Sequence, residues 1–186
     1  PEPVVGASVG AAPVALALPK AQPEPGLALR YAFDTPTPFA CDLSGKSRHG
    51  KVSRAKREPG ALVLTGKGGV RLPSGLELLG TKATVGTVSL WARPDFDPAA
   101  LSSAPAQGYA TLFYIMQTDG NGLPDGYDEI GLFLHGRKLV AHCGGQPARF
   151  AAVDSPFVKG KWTHVALTWG EKGRRLYVDG KAVAVV

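Results

Sequence analysis

Apolar and polar residues alternate most clearly near the end of the chain, in residues 161–169. Val165, Leu167 and Trp169 fall on one side of an extended strand, and the residues between them fall on the other side. A period of two is the pattern of a β-strand that lies with one face on an apolar core. This segment is therefore predicted to be a core strand.

Two tight turns follow this strand. Residues 171–173 form a polar turn, and Asp179-Gly180 closes a second β-forming stretch over 174–179. An Asp-Gly pair between β-forming residues predicts a hairpin, because such a turn needs positive φ angles that glycine adopts without strain. With a last strand over 181–186, the end of the chain is predicted to form two hairpins in series.

Strands are also predicted along the rest of the chain from residue 27. Two segments, 111–116 and 130–134, are apolar on both faces, which suits strands that a second sheet covers. No segment carries the apolar stripe of an amphipathic helix. The pattern predicts an all-β fold of two packed antiparallel sheets with jelly-roll connections. The predicted strands are residues 27–33, 60–64, 69–73, 84–93, 109–117, 128–135, 137–142, 147–153, 161–169, 174–179 and 181–186.

Residues 1–26 have a different composition, with six prolines and many alanines. Proline fixes φ and removes a backbone donor, so we expect an extended Pro/Ala-rich linker here, followed by one domain over 27–186. The apolar stretch 4–18 contains Ala15-Leu-Ala17, which suits the cleavage site of a signal peptide, although no basic segment precedes it. The alternative is a tether that docks apolar residues on a neighbouring protein.

Four segments, Leu29–Asp34, Asp42–Gly50, Val88–Pro94 and Trp162–Lys181, occur in this order. They resemble the motifs of laminin-G-like domains, which belong to the concanavalin A-like jelly-roll superfamily. The resemblance implies a two-sheet sandwich over 27–186. Members of this family usually continue past the Tyr-Val-Asp-Gly hairpin, so the last strands are expected to be missing here or to come from another subunit. The matching structural residues are Asp34, Asp42, Ser44, Gly45, Trp91, Trp162, His164, Trp169, Tyr177, Asp179 and Gly180.

The same superfamily contains glycoside hydrolases, which need two carboxyl groups about 5–9.5 Å apart. The hydrolases that this chain resembles carry their acids on one strand, as Glu-x-Asp-x-(x)-Glu. Here Asp95 and Asp97 flank a proline-bounded loop, and the adjacent Asp128 and Glu129 face opposite ways. We therefore expect that the chain is not an enzyme.

An oxygen-rich segment, 118–129, interleaves acids and an asparagine with glycines. Calcium takes about six to eight oxygen ligands on a tightly turning backbone, and glycine permits such turns. Laminin-G-like domains often carry a calcium ion at the rim of the sandwich, so the resemblance supports the same interpretation. The alternative is a polar hairpin loop in which these side chains make Asx turns. The candidate calcium ligands are Asp119, Asn121, Asp125 and Asp128.

Aromatic side chains near predicted loops are candidates for sugar contacts, because rings stack on the apolar faces of pyranoses. The alternative is packing at the rim of the core. The three tryptophans fall in strands that are predicted to be buried. For His164, the resemblance implies a packing and hydrogen-bonding role rather than that of a base. The candidate ligand-binding residues are Tyr109, Tyr127, His135 and Arg137, with Phe150 also near a loop.

The net charge is +6, and much of the excess lies in one segment that is predicted to be a loop after the Asp42 turn. Such a patch attracts nucleic acid, an anionic polysaccharide or an acidic lipid surface. The alternative is a solvated loop, and the lack of interleaved aromatic residues argues against a specific nucleic-acid site. The basic residues are Lys46, Arg48, Lys51, Arg54, Lys56 and Arg57.

The two cysteines, Cys41 and Cys143, form a disulfide in one interpretation and remain buried free thiols in the other. A disulfide requires their Cα atoms to lie within about 7 Å, so both alternatives stay open. No run of about 18 apolar residues occurs, and no transmembrane segment is expected in this chain.

Together these features predict an exported recognition module, located outside the cell, at the cell surface or in the periplasm. It would bind a glycan or a protein partner through loops at one rim of the sandwich, with calcium as its candidate cofactor. The competing hypothesis is a structural or accessory subunit of a larger envelope-associated complex, whose open edge strand pairs with another chain.

Overall fold

The computed structural model describes residues 20–33, 37–72, 85–101, 109–118, 124–143, 149–171 and 173–185. In these residues every regular element is a β-strand, apart from one turn of 3-10 helix at Pro98–Ala100. All strand pairs are antiparallel. The predicted all-β, antiparallel fold is therefore confirmed. The chain divides into two compact units, Pro1–Pro73 and Ser74–Val186.

The first unit holds a four-stranded sheet in the order β1-β2-β3-β4. Most of this sheet is one long hairpin, in which β3 pairs with β4 from Lys51 opposite Arg71 to Glu58 opposite Ala61. The register shifts between Ser53 and Ala55, which marks a β-bulge. The strands are β1 (Tyr31–Ala32), β2 (Phe39–Asp42), β3 (Gly50–Glu58) and β4 (Ala61–Arg71).

The basic segment is a loop only over its first residues, so that prediction was wrong from residue 50 onward. Its second half is β3, over Gly50–Glu58. Two features hide this strand in the sequence. Its less exposed positions hold few apolar residues, Val52 and Ala55, between exposed lysines and arginines, and the bulge after Ser53 interrupts the period of two.

The second unit is a sandwich of two four-stranded sheets. The chain starts in one sheet with β5, runs through all four strands of the other sheet, and returns to the first sheet with its last three strands. The sheet orders are β12-β11-β10-β5 and β6-β7-β8-β9. The strands are β5 (Gly86–Ala92), β6 (Tyr109–Thr118), β7 (Pro124–His135), β8 (Lys138–Cys143), β9 (Arg149–Asp154), β10 (Thr163–Gly170), β11 (Gly173–Val178) and β12 (Lys181–Val185).

Apolar side chains from both sheets meet in the core of this unit. Burying such side chains supplies most of the free energy that holds two sheets together. Several of them are fully inaccessible to solvent, among them Leu132, Leu139 and Leu167 at 0% exposure. The buried core residues are Ile130, Leu132, Leu134, Leu139, Ala141, Ala151, Phe157, Val165, Leu167, Trp169 and Leu176.

Strands β10, β11 and β12 form the two predicted hairpins in series. Asp179 and Gly180 connect β11 to β12 with φ angles of 46° and 79°. Two consecutive positive φ angles are the geometry of a type I′ turn, whose twist matches that of the flanking strands. The local sequence signal and the tertiary structure therefore agree in this part of the chain.

Several boundaries differ from the predicted ones. The strand expected over 27–33 is limited to Tyr31–Ala32, β2 was not predicted, and β7 begins at Pro124 rather than at residue 128. Residues 1–19 of the predicted linker lie outside the described residues. The part that is described contacts the first unit, because Gln22 N donates to Leu43 O at 2.6 Å.

Candidate functional site

The sheet β12-β11-β10-β5 has one face in the core and one outer face. Val165 and Leu167 belong to the core cluster, so the intervening residues of β10 lie on the outer face. The strand register places alternate residues of β5 and β11 on the same face. The outer-face residues are Thr87, Ser89, Trp91, His164, Ala166, Thr168, Arg175 and Tyr177.

Two of the three tryptophans are exposed. The side chains of Trp91 and Trp162 are 63% and 47% accessible to solvent, whereas Trp169 is 7% accessible and lies in the core. The prediction that all three are buried was therefore wrong for Trp91 and Trp162. The sequence pattern could have predicted the exposure of Trp162. This residue lies an odd number of positions from Val165 and Trp169, so its side chain faces away from the core.

Basic and imidazole groups hold both exposed indoles in place. The Arg93 guanidinium lies 5.1 Å from the centroid of the Trp162 ring, a cation–π contact. The Trp91 ring lies 5.1 Å from the His164 ring, with 51° between the two planes. Side-chain torsions that are restricted in this way lose less entropy when a ligand binds.

His164 is tied to both neighbouring elements. Its Nε2 atom lies 2.7 Å from Ser89 Oγ in β5. On the other side, His164 N donates to the carboxylate of Asp179 at 2.9 Å, and Asp179 N donates to His164 O at 2.9 Å. These contacts give His164 and Asp179 positioning functions for Trp91 and for the β11–β12 turn.

A shallow cleft lies at the other end of the same sheet. Its volume is about 270 Å³, and its walls include Thr168, Arg175 and Glu171. Thr168 lies four residues along β10 from His164, so the cleft is about 14 Å from the exposed indole of Trp91. The outer face thus combines an aromatic end with a polar end.

The predicted ligand-binding residues lie in the other sheet of this unit, and the structure brings two of them together. Tyr109 is 54% exposed and stacks on His135, with 4.2 Å between the ring centroids and 8° between their planes. Among the described residues, His135 Nε2 is a buried atom without a hydrogen-bond partner. Arg137 is exposed in the adjacent turn. The side chains of Tyr127 and Phe150 lie outside the described residues.

Asp42 organises the turn after β2 in the first unit. Its Oδ1 accepts from Ser44 N at 2.8 Å and from Arg30 N at 3.2 Å, and its Oδ2 accepts from Arg48 N at 2.9 Å and from Ser44 Oγ at 2.8 Å. Burial raises the pKa of Asp42, but these hydrogen bonds outweigh burial and hold the pKa below its usual value.

Tyr31, in β1, and Gly45, in the turn itself, also support this turn. Burial, with a smaller contribution from the Asp42 charge, raises the pKa of Tyr31 to about 12, and its hydroxyl donates to Arg48 O at 2.8 Å. Gly45 has a φ of 83°, a conformation that favours glycine. Asp34, the other predicted structural aspartate, lies outside the described residues.

The candidate calcium segment is only partly described. Asp119 and Asn121 lie outside the described residues, and so do the side chains of Asp125 and Asp128. The backbone of the last two belongs to β7, so Asp125 lies on a strand where the sequence predicts a loop, whereas Asp128 is the first residue of the predicted strand 128–135. Within the described ranges, no three His, Cys, Asp or Glu side chains are placed to hold a metal ion.

Cys41 is a buried free thiol, with its Sγ 3.3 Å from Thr37 Oγ1. The side chain of Cys143 lies outside the described residues. The described part of the chain also contains no helix with the length and apolar character that crossing a bilayer requires.

Several solved structures resemble this chain. A mutant of Trypanosoma rangeli sialidase that displays trans-sialidase activity matches with a TM-score of 0.58 and 19% identity over 84% of this chain. The same sialidase in complex with 2,3-difluorosialic acid, a covalent intermediate, matches with a TM-score of 0.61 and 22% identity over 92%. A mutant of HCR/D matches with a TM-score of 0.59 and 14% identity over 84% of this chain and 38% of its own.

At these identities the similarity shows a shared fold. This chain spans 24% and 26% of the two sialidase chains, so it corresponds to about a quarter of their length. The expectation that the chain is not an enzyme is contradicted by these neighbours, because sialidases are glycoside hydrolases. The missing pair of carboxylates on one strand was therefore no ground for excluding an enzyme.

No curated protein matches the sequence. A laminin G family model described as concanavalin A-like lectin/glucanases superfamily matches residues 64–186, from within β4 to the end of the chain. Because this match covers more than half of the chain, the chain belongs to the concanavalin A-like lectin/glucanase superfamily.

Proposed function

We propose that this chain is the glycan-recognition module of a larger exported protein, and that its outer face binds the sugar. The lectin/glucanase fold supports carbohydrate or protein binding in general. The observation that carries the choice of a glycan is the 63% exposure of Trp91 on the outer face of a paired strand. A large apolar side chain in such a position loses the free energy of burial, which a ligand that covers it would restore.

The chemistry of the outer face suits a pyranose. The indole of Trp91 offers a flat apolar surface for the C–H face of a sugar ring, and the hydroxyl of Ser89 lies on the same face next to it. About 14 Å away, Thr168 and Arg175 supply a hydroxyl and a guanidinium for the polar groups of a second sugar unit. A glycan of several units would contact both ends.

Acidic sugars are the first ligands to test. Arg93 and Arg175 lie at the two ends of the face, and guanidinium groups bind carboxylates through paired hydrogen bonds. A further T. rangeli sialidase structure with the same fold is described as a complex with sialic acid. Recognition of sialylated glycans would also agree with a location outside the cell.

The test measures binding of the full chain to an array of neutral and sialylated glycans, followed by titration calorimetry with the best ligand. We expect Trp91→Ala to weaken binding at least tenfold, which corresponds to about 1.4 kcal/mol. Tyr109→Ala is the matched control, because it removes an exposed ring from the other sheet. Circular dichroism would show that both variants keep the fold.

The opposite result would reassign the site. Loss of binding in Tyr109→Ala, with Trp91→Ala unchanged, would place the sugar at the Tyr109–His135 stack. If no glycan binds the wild-type chain, a glycan-recognition function is rejected. A protein partner that binds the wild-type chain and not Trp91→Ala would then support a protein-recognition function for the outer face.

A further inference from the structure

We infer that the β3–β4 hairpin of the first unit binds a linear anionic polysaccharide. This hairpin, residues 50–71, contains six basic residues and one acidic residue, Glu58, so it accounts for most of the +6 net charge. Strand β3 lies outside the segment that the family model matches. The hairpin shares no residue with the outer face of the second unit, so this inference does not depend on the function proposed for that face.

The strongest observation is a pair of like charges that face each other across the hairpin. Lys51 and Arg71 are directly opposite in the β3–β4 register, and both side chains are exposed. Directly opposite side chains lie on the same face about 5 Å apart, and like charges there destabilise the pair. An anion bound between them would remove this repulsion and form charge-assisted hydrogen bonds with both.

Other basic groups of this unit are already used to hold the fold. The Arg48 guanidinium donates to Ala28 O at 3.0 Å, and the Arg57 guanidinium donates to Phe39 O at 2.9 Å. The remaining basic side chains of the hairpin are exposed and lie along its length, and Lys46 is exposed in the turn before it. Those of the hairpin are Lys51, Arg54, Lys56, Lys67 and Arg71.

The bulge is built around one of these cations. Arg54 has a φ of 48°, which is uncommon for a residue other than glycine. Its carbonyl oxygen accepts from Thr65 Oγ1 at 3.2 Å, and Gly68 packs directly against that carbonyl, where a Cβ atom would collide with it. Bulges change the direction of a side chain and are frequent next to functional sites. Thr65 and Gly68 of the facing strand contact this one.

The shape and composition of the hairpin favour a polysaccharide over a nucleic acid. Residues 50–71 contain no Phe, Tyr or Trp, and sequence-independent binding of single strands relies on aromatic rings that stack on bases. An extended strand of nine residues is about 30 Å long, so its charges form a row rather than a compact patch. A linear chain with regularly spaced sulfate or carboxylate groups is complementary to such a row.

The experiment uses the full chain with dextran sulfate as the probe. Neutral dextran, a single-stranded oligonucleotide and phosphatidylserine vesicles are measured in parallel. We expect dextran sulfate to bind with an affinity that falls as salt rises, because binding releases counterions. The variant Lys51→Gln/Arg71→Gln should weaken binding about tenfold and reduce the slope of log K against log salt by about 2.

A matched variant separates this site from net charge. Lys159→Gln/Lys181→Gln also removes two exposed positive charges, but from the second unit. It should change the affinity less than threefold. If Lys51→Gln/Arg71→Gln does not fold, Lys56→Gln/Lys67→Gln tests the same hairpin. The inference is overturned if dextran sulfate does not bind, or if Lys159→Gln/Lys181→Gln loses as much affinity as the hairpin variant. It is also overturned if the oligonucleotide or the vesicles bind more tightly than dextran sulfate.

Discussion

Gly86 lies opposite Trp169 in the β5–β10 ladder, and the indole ring covers its Cα atom. A Cβ atom at this position would lie 2.7 Å from Trp169 Cε2, closer than real Cβ atoms approach other groups. The buried indole therefore requires glycine at position 86. This pair connects the start of the first strand of the second unit to the core that its last strands complete.

Replacing this glycine is expected to destabilise the second unit. Gly86→Ala forces the Trp169 ring to move in a packed core, which costs about 1–3 kcal/mol. Urea unfolding followed by tryptophan fluorescence measures the loss, because all three tryptophans lie in this unit. Gly173→Ala is not a suitable control, since that glycine has a φ of 93°. Thr87→Ala, at the next and exposed position, should change the stability by less than about 0.5 kcal/mol.

Asp42 is expected to make the stability of the first unit depend on pH. Its pKa is lowered in the folded state, so the carboxylate stabilises the fold above its unfolded pKa of about 3.9, and this contribution is lost as the pH falls through the folded pKa. Asp42→Asn should therefore cost about 2–4 kcal/mol at neutral pH, and the difference from wild type should shrink below about pH 4.

Far-ultraviolet circular dichroism in urea is the appropriate measurement for Asp42→Asn, because the first unit contains no tryptophan. Asp95→Asn is the control. This carboxylate is exposed, so its replacement should change the stability by less than about 0.5 kcal/mol. A difference between wild type and Asp42→Asn that stays constant from neutral to acid pH would show that the charge of Asp42 does not stabilise the turn.

Asp179 is expected to tolerate asparagine better than alanine. Its φ of 46° is accessible to Asp and Asn but strained for other residues, and its carboxylate accepts from His164 N. Asp179→Ala should cost about 1–3 kcal/mol, whereas Asp179→Asn should cost less than half of that. The midpoint of urea unfolding for the two variants gives the answer. Equal losses would mean that the left-handed conformation contributes little at this turn.

Calcium binding near residues 119–128 stays a prediction. If calcium binds the folded chain, a concentration about 100 times the dissociation constant should stabilise it by about 2.7 kcal/mol. Thermal unfolding with calcium, and then with a chelator, measures this shift. Asp125→Ala should remove it, and Asp95→Ala should not. A shift that persists in Asp125→Ala would place the ion elsewhere.

The sequence by itself determined the fold class and the hairpins of β10, β11 and β12. The strand β10 carries large apolar residues with a period of two, and Asp179-Gly180 has the dihedral preferences of a type I′ turn. Both signals are local, so they do not depend on contacts with distant parts of the chain. The motifs likewise identified the superfamily that the family model confirms, and two of the four, Val88–Pro94 and Trp162–Lys181, lie within the matched residues 64–186.

Only the tertiary structure decided which faces of the strands are covered and which residues meet across them. Periodicity places the side chains of Trp162 and Val165 on different faces of the strand, but whether anything packs on the Trp162 face depends on distant elements. The stacking of Tyr109 on His135 requires the register between β6 and β7, which pairs the first residue of one strand with the last residue of the other. The sequence of β3 shows no apolar period of two. This strand therefore depends on its pairing with β4. Pairing and coverage depend on the whole chain, and this is why the sequence left the candidate binding surfaces open.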